Sequence, residues 1–214
     1  MVKNICAANI FDLGSAHTTK MYHDGGVQFH DTRESLLQRP WVIDDADAFC
    51  HAMRTKKYTK AILFVDNAGS DVILGMMPFA RQLLSSGTAE NVVIAANSLP
   101  SINDITYSEL EAILPEICQK DDKICDFVSR GVLRLVASGN DLPVIDLSRV
   151  SKDVCDEAET ADLVVLEGMG RSIETNLYAG LRCDSLNIGM VKHQEVADVL
   201  GGRMLDCVVR FQTS

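Results

Sequence analysis

The chain has 214 residues, 47% hydrophobic and 23% charged, with 30 acidic against 20 basic side chains and a net charge of −10. That composition suits a globular fold with a sizeable core, and the acidic balance excludes the basic surface that non-specific nucleic-acid binding or docking on anionic membranes needs. Seven cysteines without a CxxC pair read as reduced thiols of a cytoplasmic protein, and no window has the length and apolarity of a signal sequence or membrane span.

Residues 1–58 are mixed in character and read as a short N-terminal helical or edge segment, with a helix over 29–38 stopped by Pro40-Trp41. Residues 59–214 read as an α/β core. Short apolar runs predict strands at 61–65, 91–96, 132–136, 163–166, 185–191 and 207–211. They are continuous rather than alternating, the pattern of strands buried on both faces. Helices are expected at 72–86, where Ile73, Met76, Met77, Ala80, Leu83 and Leu84 follow the 3.6 period, and at 107–118 behind the cap Asp104-Ile105-Thr106. Shorter ones are expected at 175–181 and at 194–200, the last ended by Gly201-Gly202. The alternation implies a three-layer α/β/α fold with a mostly parallel sheet.

Ligands in such folds bind outside the carboxyl ends of the strands. Five strand ends are polar here, led by Asp66-Asn67-Ala68-Gly69-Ser70-Asp71. Gly69 permits a break that turns Asp66 and Asn67 into one crevice. With Asp104 they offer three hard oxygens, which suits Mg²⁺ or Mn²⁺. The same residues also suit an Asx-type turn with Asp104 as a helix cap, and spacing leaves the two readings open. Ser70 and Asp71 are expected behind such a site, Asp71 also as a cap. Lys192 reads as a phosphate ligand or as a snorkelling surface lysine. Asn97 and Ser98, after the second run, are candidates to assist with phosphate.

In Glu167-Gly168-Met169-Gly170-Arg171 the glycines would let backbone approach a substrate, but the rest of a dinucleotide fingerprint is missing. Arg171 has two open roles, a phosphate contact or a pairing with Glu174. His193 is a general acid–base candidate, or a half-exposed histidine with no role. No Walker motif or GxSxG elbow occurs.

Taken with AANIFDLG (7–14), LFVDNAGSDVILGMMPFARQLL (63–84), AANSLPSINDIT (95–106), LPVIDLSRV (142–150) and DLVVLEGMGRSIETN (162–176), the EGMGR segment makes the chain resemble the damage-control phosphatases. This is a metal-dependent family, and the resemblance is to the subfamily that includes the phosphatase half of pantothenate-kinase fusion proteins. It runs nearly end to end. It implies a divalent cation (Mn²⁺, Mg²⁺, Co²⁺ or Ni²⁺) on Asp66, Asn67 and Asp104, with Lys192 near the substrate phosphate. The implied reaction is hydrolysis of small phosphomonoesters, 4′-phosphopantetheine or its oxidised and damaged forms, within coenzyme A metabolism. Glu167, Gly168, Met169, Gly170, Arg171 and Asn9 would shape the organic part of the pocket. Relatives carry a helical region before the Ala7-Ala8-Asn9 segment, so part of a pocket wall is expected to be missing. The rival readings are a non-catalytic relative that binds a phosphometabolite, and a carboxyl methyltransferase.

Overall fold

The structure, a computed structural model, describes residues 1–10 and 28–214. The resembling segment at 7–14 therefore lies outside the described residues beyond Ile10. Among the described residues the six apolar runs become β2 (Tyr58–Phe64), β3 (Ala89–Ala96), β4 (Leu133–Ala137), β5 (Leu163–Glu167), β6 (Asp184–Met190) and β7 (Cys207–Gln212), and a short strand that no run announced, β1 (Ile43–Asp44), precedes them. The helices are α1 (Val2–Asn9), α2 (Phe29–Ser35), α3 (Ala46–Thr55), α4 (Met77–Ser85), α5 (Tyr107–Lys120), α6 (Asp122–Ser129), α7 (Lys152–Ala158) and α8 (Gln194–Leu200).

The sheet order is β1-β7-β6-β5-β2-β3-β4. Strands β2 to β6 run parallel, β7 lies antiparallel to β6, and β1 follows β7. In β2, Ala61 and Leu63 join one apolar cluster, whereas Ile62 and Phe64 join another. Strands β3 and β5 divide the same way, with Val92 and Ile94 opposite Val93 and Ala95, and Leu163 and Val165 opposite Val164 and Leu166. Both faces are covered, which is why these strands carry apolar residues at every position. Ile5 of α1, Phe49 of α3, Phe79 and Leu83 of α4, Leu110 of α5 and Phe127 of α6 cover one face. Ile145 and Val154 of α7 cover the other. The mostly parallel α/β layering matches the sequence reading.

Two helices differ from expectation. The segment at 72–86 is not one α-helix: Asp71–Met76 is a π-helical turn, with Met77 N–H bonded to Val72 O, and α4 follows. Pro78 explains the change, because it has no N–H to donate to Leu74 and its ring crowds that carbonyl. The helix expected at 175–181 instead occupies Met169–Glu174, again as a π-helical turn. It is stopped at its C-terminus by side chains that take its last carbonyls: Thr175 Oγ1 bonds Gly170 O at 2.8 Å and Asn176 Nδ2 bonds Arg171 O at 2.9 Å. Helix α5 begins as expected, with Thr106 and Glu109 forming a capping box.

The chain leaves β2 toward β3 on one side, and β5 and β6 fill the other. Strand order reverses between β2 and β5, and a crevice opens outside their carboxyl ends at such a switch point. DNAGSD follows β2 and EGMGR spans the end of β5, so the two polar segments meet there.

Candidate active site

Backbone hydrogen bonds sew the loops after β2, β3 and β5 into one surface. The Asp66 N–H donates to Glu167 Oε2 at 2.9 Å, and Asp66 O accepts from Ile105 N–H at 2.9 Å. Ala68 N–H donates to Asn103 O at 2.8 Å, and Asn67 faces Asp104 across an antiparallel bridge. Asp66, Asn67 and Asp104 therefore stand side by side, each nearly buried, on the wall of a cleft. Ile102, Asn103, Pro143, Val144, Met169, Gly170, Glu174 and His193 also line it.

Behind that face sits a second acidic group. Asp66, Asp71 and Glu167 bring carboxylate oxygens within 4.8 Å of one another, close enough to share a cation. The buried Asn9 occupies the middle: its Nδ2 lies 2.7 Å from Glu167 Oε1, 2.8 Å from Asp71 Oδ2 and 3.2 Å from Asp66 Oδ2. Asn67 Nδ2 adds bonds to Asp66 Oδ2 (2.9 Å) and Asp71 Oδ2 (2.8 Å). Amide nitrogens thus already engage one oxygen of each member of the inner trio, leaving Asp71 Oδ1 without a donor. Turning Nδ2 inward leaves the Asn67 carbonyl oxygen as the end of its amide that no carboxylate engages. The outer set of Asp66, Asn67 and Asp104 is the one that meets the cleft.

Charge balance shows what this site is built to take. Among the described residues, Asp66, Asp71, Asp104 and Glu167 are buried with only Arg171 and Lys192 as buried cations beside them, a formal excess of two carboxyls over cations. Burial, aided by the Asp66 charge, pushes both Asp71 and Asp104 up to about 6. Glu167 is raised well above the carboxylate range by burial and by Asp71 and Asp66. Asp71 Oδ1 and Asn103 Oδ1 are buried without a hydrogen-bond donor. Hard oxygens, clustered carboxyls whose ionisation is opposed by burial and by one another, and orphaned acceptors fit a divalent cation such as Mg²⁺ or Mn²⁺.

Residues 1–208 match the family model described as the damage-control phosphatase ARMT1-like domain. The chain belongs to that family. It is 53% identical over 211 residues to Damage-control phosphatase At2g17340 of Arabidopsis thaliana, spanning 99% of this chain and 57% of that protein. It is 31% identical over 262 residues to the 4′-phosphopantetheine phosphatase of Mus musculus, spanning 99% of this chain and 32% of the mouse protein. The chain thus spans little more than half the length of its plant relative and a third of the mouse one. A DUF89 family protein of Pyrococcus horikoshii shares the fold, with a TM-score of 0.63 at 15% identity over 98% of this chain and 65% of that one.

In this damage-control phosphatase domain each residue of the EGMGR segment has a local physical reason. Glu167 anchors the Asp66 backbone. Gly168 has φ +102°, and a Cβ there would stand 2.3 Å from the Asp66 carboxylate, so Gly168 is the space Asp66 occupies. Met169 Sδ accepts from Lys192 N–H at 3.2 Å. A Cβ on Gly170 would stand 2.2 Å from Pro143 O, so this glycine admits the loop after β4. Arg171 is fully buried and does not turn to Glu174. Nη1 contacts Asp66 Oδ1, while Nη2 lies 2.6 Å from Asp104 Oδ1 and donates to Asn97 Oδ1 at 3.0 Å. One planar guanidinium therefore joins the loops after β2, β3 and β5.

Several other candidates sit away from the cleft wall. Asn9 lies inside the acidic trio. Lys192 is 1% exposed rather than snorkelling, and its Nζ donates to Asn9 O at 2.9 Å, near enough for its charge to act on Asp71 and Glu167. Ser98 Oγ accepts from Gly139 N–H at 2.7 Å, and Asn97 Nδ2 donates to Leu142 O at 2.9 Å, so both brace the β4 loop. Ser70 is half-buried at the start of the π-helical turn and makes no capping bond. Sequence reasoning missed the contribution of Pro143 and Val144, and of the buried Asn140, Asn176 and Asn187. Only the carboxamides of the three asparagines, near apolar runs, would have hinted at it.

Proposed function

We propose that this domain is a metal-dependent phosphomonoester hydrolase of metabolite damage control, acting on 4′-phosphopantetheine or its oxidised or damaged forms. The observation that carries the reading is the cluster of four buried carboxyls against two buried cations behind an open cleft at the switch point of the sheet. The names of the plant and mouse relatives support the phosphate chemistry. Asp66, Asn67 and Asp104 would hold the cation, with Mn²⁺, Mg²⁺, Co²⁺ and Ni²⁺ all suited to the site.

A bound divalent cation supplies Lewis-acid polarisation of a phosphoryl oxygen and a lowered pKa for a coordinated water. The chain's own residues do the rest. Arg171 holds Asp66 and Asp104 at a set separation. Lys192, beside Asn9, supplies positive charge at the rear of the site. In this reading Asp66 serves as a ligand, its carboxylate held by Arg171 at Oδ1 and by the amides of Asn67 and Asn9 at Oδ2. The position two residues on, where a second carboxylate would assist an aspartyl nucleophile, is Ala68. That absence favours water as the attacking group. The seven free cysteines accord with a reducing compartment such as the cytoplasm. No helix among the described residues is long and apolar enough to cross a membrane.

The test is hydrolysis of p-nitrophenyl phosphate with each metal. The wild-type domain turns over with metal, and Asp66→Ala removes the metal-stimulated rate while retaining a cooperative thermal transition. An unchanged rate in Asp66→Ala refutes the assignment.

A further inference from the structure

The mouth of the cleft carries a feature that metal binding does not require. Ile102 has φ +51°, a conformation that glycine and asparagine tolerate and a β-branched residue rarely adopts. It sits in the Ser101–Asp104 turn, closed by Asp104 N–H to Ser101 O at 2.9 Å. An asparagine would fill such a turn without strain. Instead an isoleucine stands there, 68% exposed, on the lip of the cleft beside Asp104. Strain held at a cleft lip is an observation from which a functional role is inferred.

A second, independent observation lies in the same cleft. Pro143 and Val144 face it from the loop after β4, and that loop is held by buried carboxamides. Asn97 Nδ2 takes Leu142 O, Asn140 Oδ1 takes Asp146 N–H at 3.0 Å, and Asn176 Nδ2 takes Ile145 O at 2.8 Å. Three asparagines thus pin backbone on both sides of two apolar residues. The Pro143 and Val144 side chains offer carbon surface and no hydrogen-bond partner, while Asn103, Glu174 and His193 supply the polar part of the same lining. A hydroxyl-rich group pressed against Pro143 and Val144 would lose bonds to water without replacement, whereas an alkyl chain would lose none.

We infer that Ile102, with Pro143 and Val144, determines specificity by gripping an apolar carbon chain on the ester side of the phosphate. The site thereby favours alkyl phosphomonoesters over sugar and polyol phosphates. The inference rests on the phosphatase reading above. Ile102 holds the chain at the lip while Pro143 and Val144 form the fixed apolar wall, with Asp66, Asn67 and Asp104 at the phosphate end.

The experiment compares n-butyl phosphate with glycerol 3-phosphate in the Mn²⁺-loaded domain, and measures n-butylphosphonate binding by calorimetry. The wild type prefers butyl phosphate in kcat/KM. Ile102→Asn, which suits the turn, shrinks that preference about tenfold, through KM, and weakens butylphosphonate about tenfold. A preference unchanged by Ile102→Asn, or a wild type that favours glycerol 3-phosphate, overturns the inference while the hydrolase stands. Butylphosphonate binding that depends on Ile102, in a domain that hydrolyses neither ester, overturns the hydrolase and upholds the grip.

Discussion

Replacing Gly168 by alanine places a methyl carbon 2.3 Å from the Asp66 carboxylate, at a residue whose φ is +102°. A non-glycine residue in that backbone region costs ~1–3 kcal/mol. Forcing a methyl into a packed site costs another ~1–3 kcal/mol. Together they give roughly 4 kcal/mol, and at ~3 °C per kcal/mol for a chain this size Tm falls by about 12 °C. Gly69 is the control, since it too has positive φ (+73°) but a Cβ there meets nothing within 4 Å. Gly69→Ala costs only the backbone term, ~1 kcal/mol or about 3 °C. The two variants also differ in metal response. Saturating Mn²⁺ at about 100 times its Kd stabilises the folded wild type by ~2.7 kcal/mol, about 8 °C. Gly69→Ala keeps that gain and Gly168→Ala loses it, because Asp66 has been pushed aside. Calorimetric scans with and without Mn²⁺ read both effects. Equal Tm losses in the two variants, or a full Mn²⁺ gain in Gly168→Ala, would refute the claim that Gly168 exists to seat Asp66.

Arg171→Ala leaves Asp66 and Asp104 buried without their shared cation, and costs about 3–5 kcal/mol in urea unfolding of metal-free protein; Arg171→Lys recovers only part, since one ammonium cannot span Asp66, Asp104 and Asn97. Asp71 is raised to about 6 when folded, so the folded metal-free state holds its proton more tightly than the unfolded chain. Its penalty is complete above pH 6 and vanishes below about pH 4, the unfolded value. Asp71→Asn therefore stabilises metal-free protein at pH 7 by up to ~3 kcal/mol, from about 1.4 kcal/mol per pKa unit. That advantage shrinks as the pH of the unfolding experiment drops from 6 to 4. Asp184 has the opposite sign: although burial opposes it, the bonds from Lys56 Nζ (2.5 Å) and Tyr58 OH (2.8 Å) hold it below the usual carboxylate range. Its contribution is present above about pH 4 and lost as pH falls through the lower folded value; Tyr58→Phe removes ~1 kcal/mol at neutral pH and less in acid, measured by the same titration.

The strands were legible because parallel strands covered on both faces must be apolar at every position, and a run such as Ile62-Leu63-Phe64-Val65 admits few other readings. The helices were less so. The segment at 72–86 shows an unbroken helical period, yet Pro78 diverts it into a π-helical turn whose Gly75 packs against Ala8 of α1. Helix α1 showed no pattern that marked it as core, and it became core because Ile5 and Cys6 lie under the sheet.

The sequence alone established an α/β layered fold, the polar strand ends and the pairing of Asp66 with Asn67, since those follow from local composition and period. Only the tertiary structure decided what stands beside what. Order reversal between β2 and β5 brought Glu167 against the Asp66 backbone, and Gly168 into the space beside its carboxylate. Arg171 was read as a phosphate contact or a partner of Glu174, and is instead the guanidinium that joins Asp66, Asp104 and Asn97. Asn9, 57 residues before Asp66, stands among three carboxylates. Such contacts are set by chain crossings, which no local pattern of residues records.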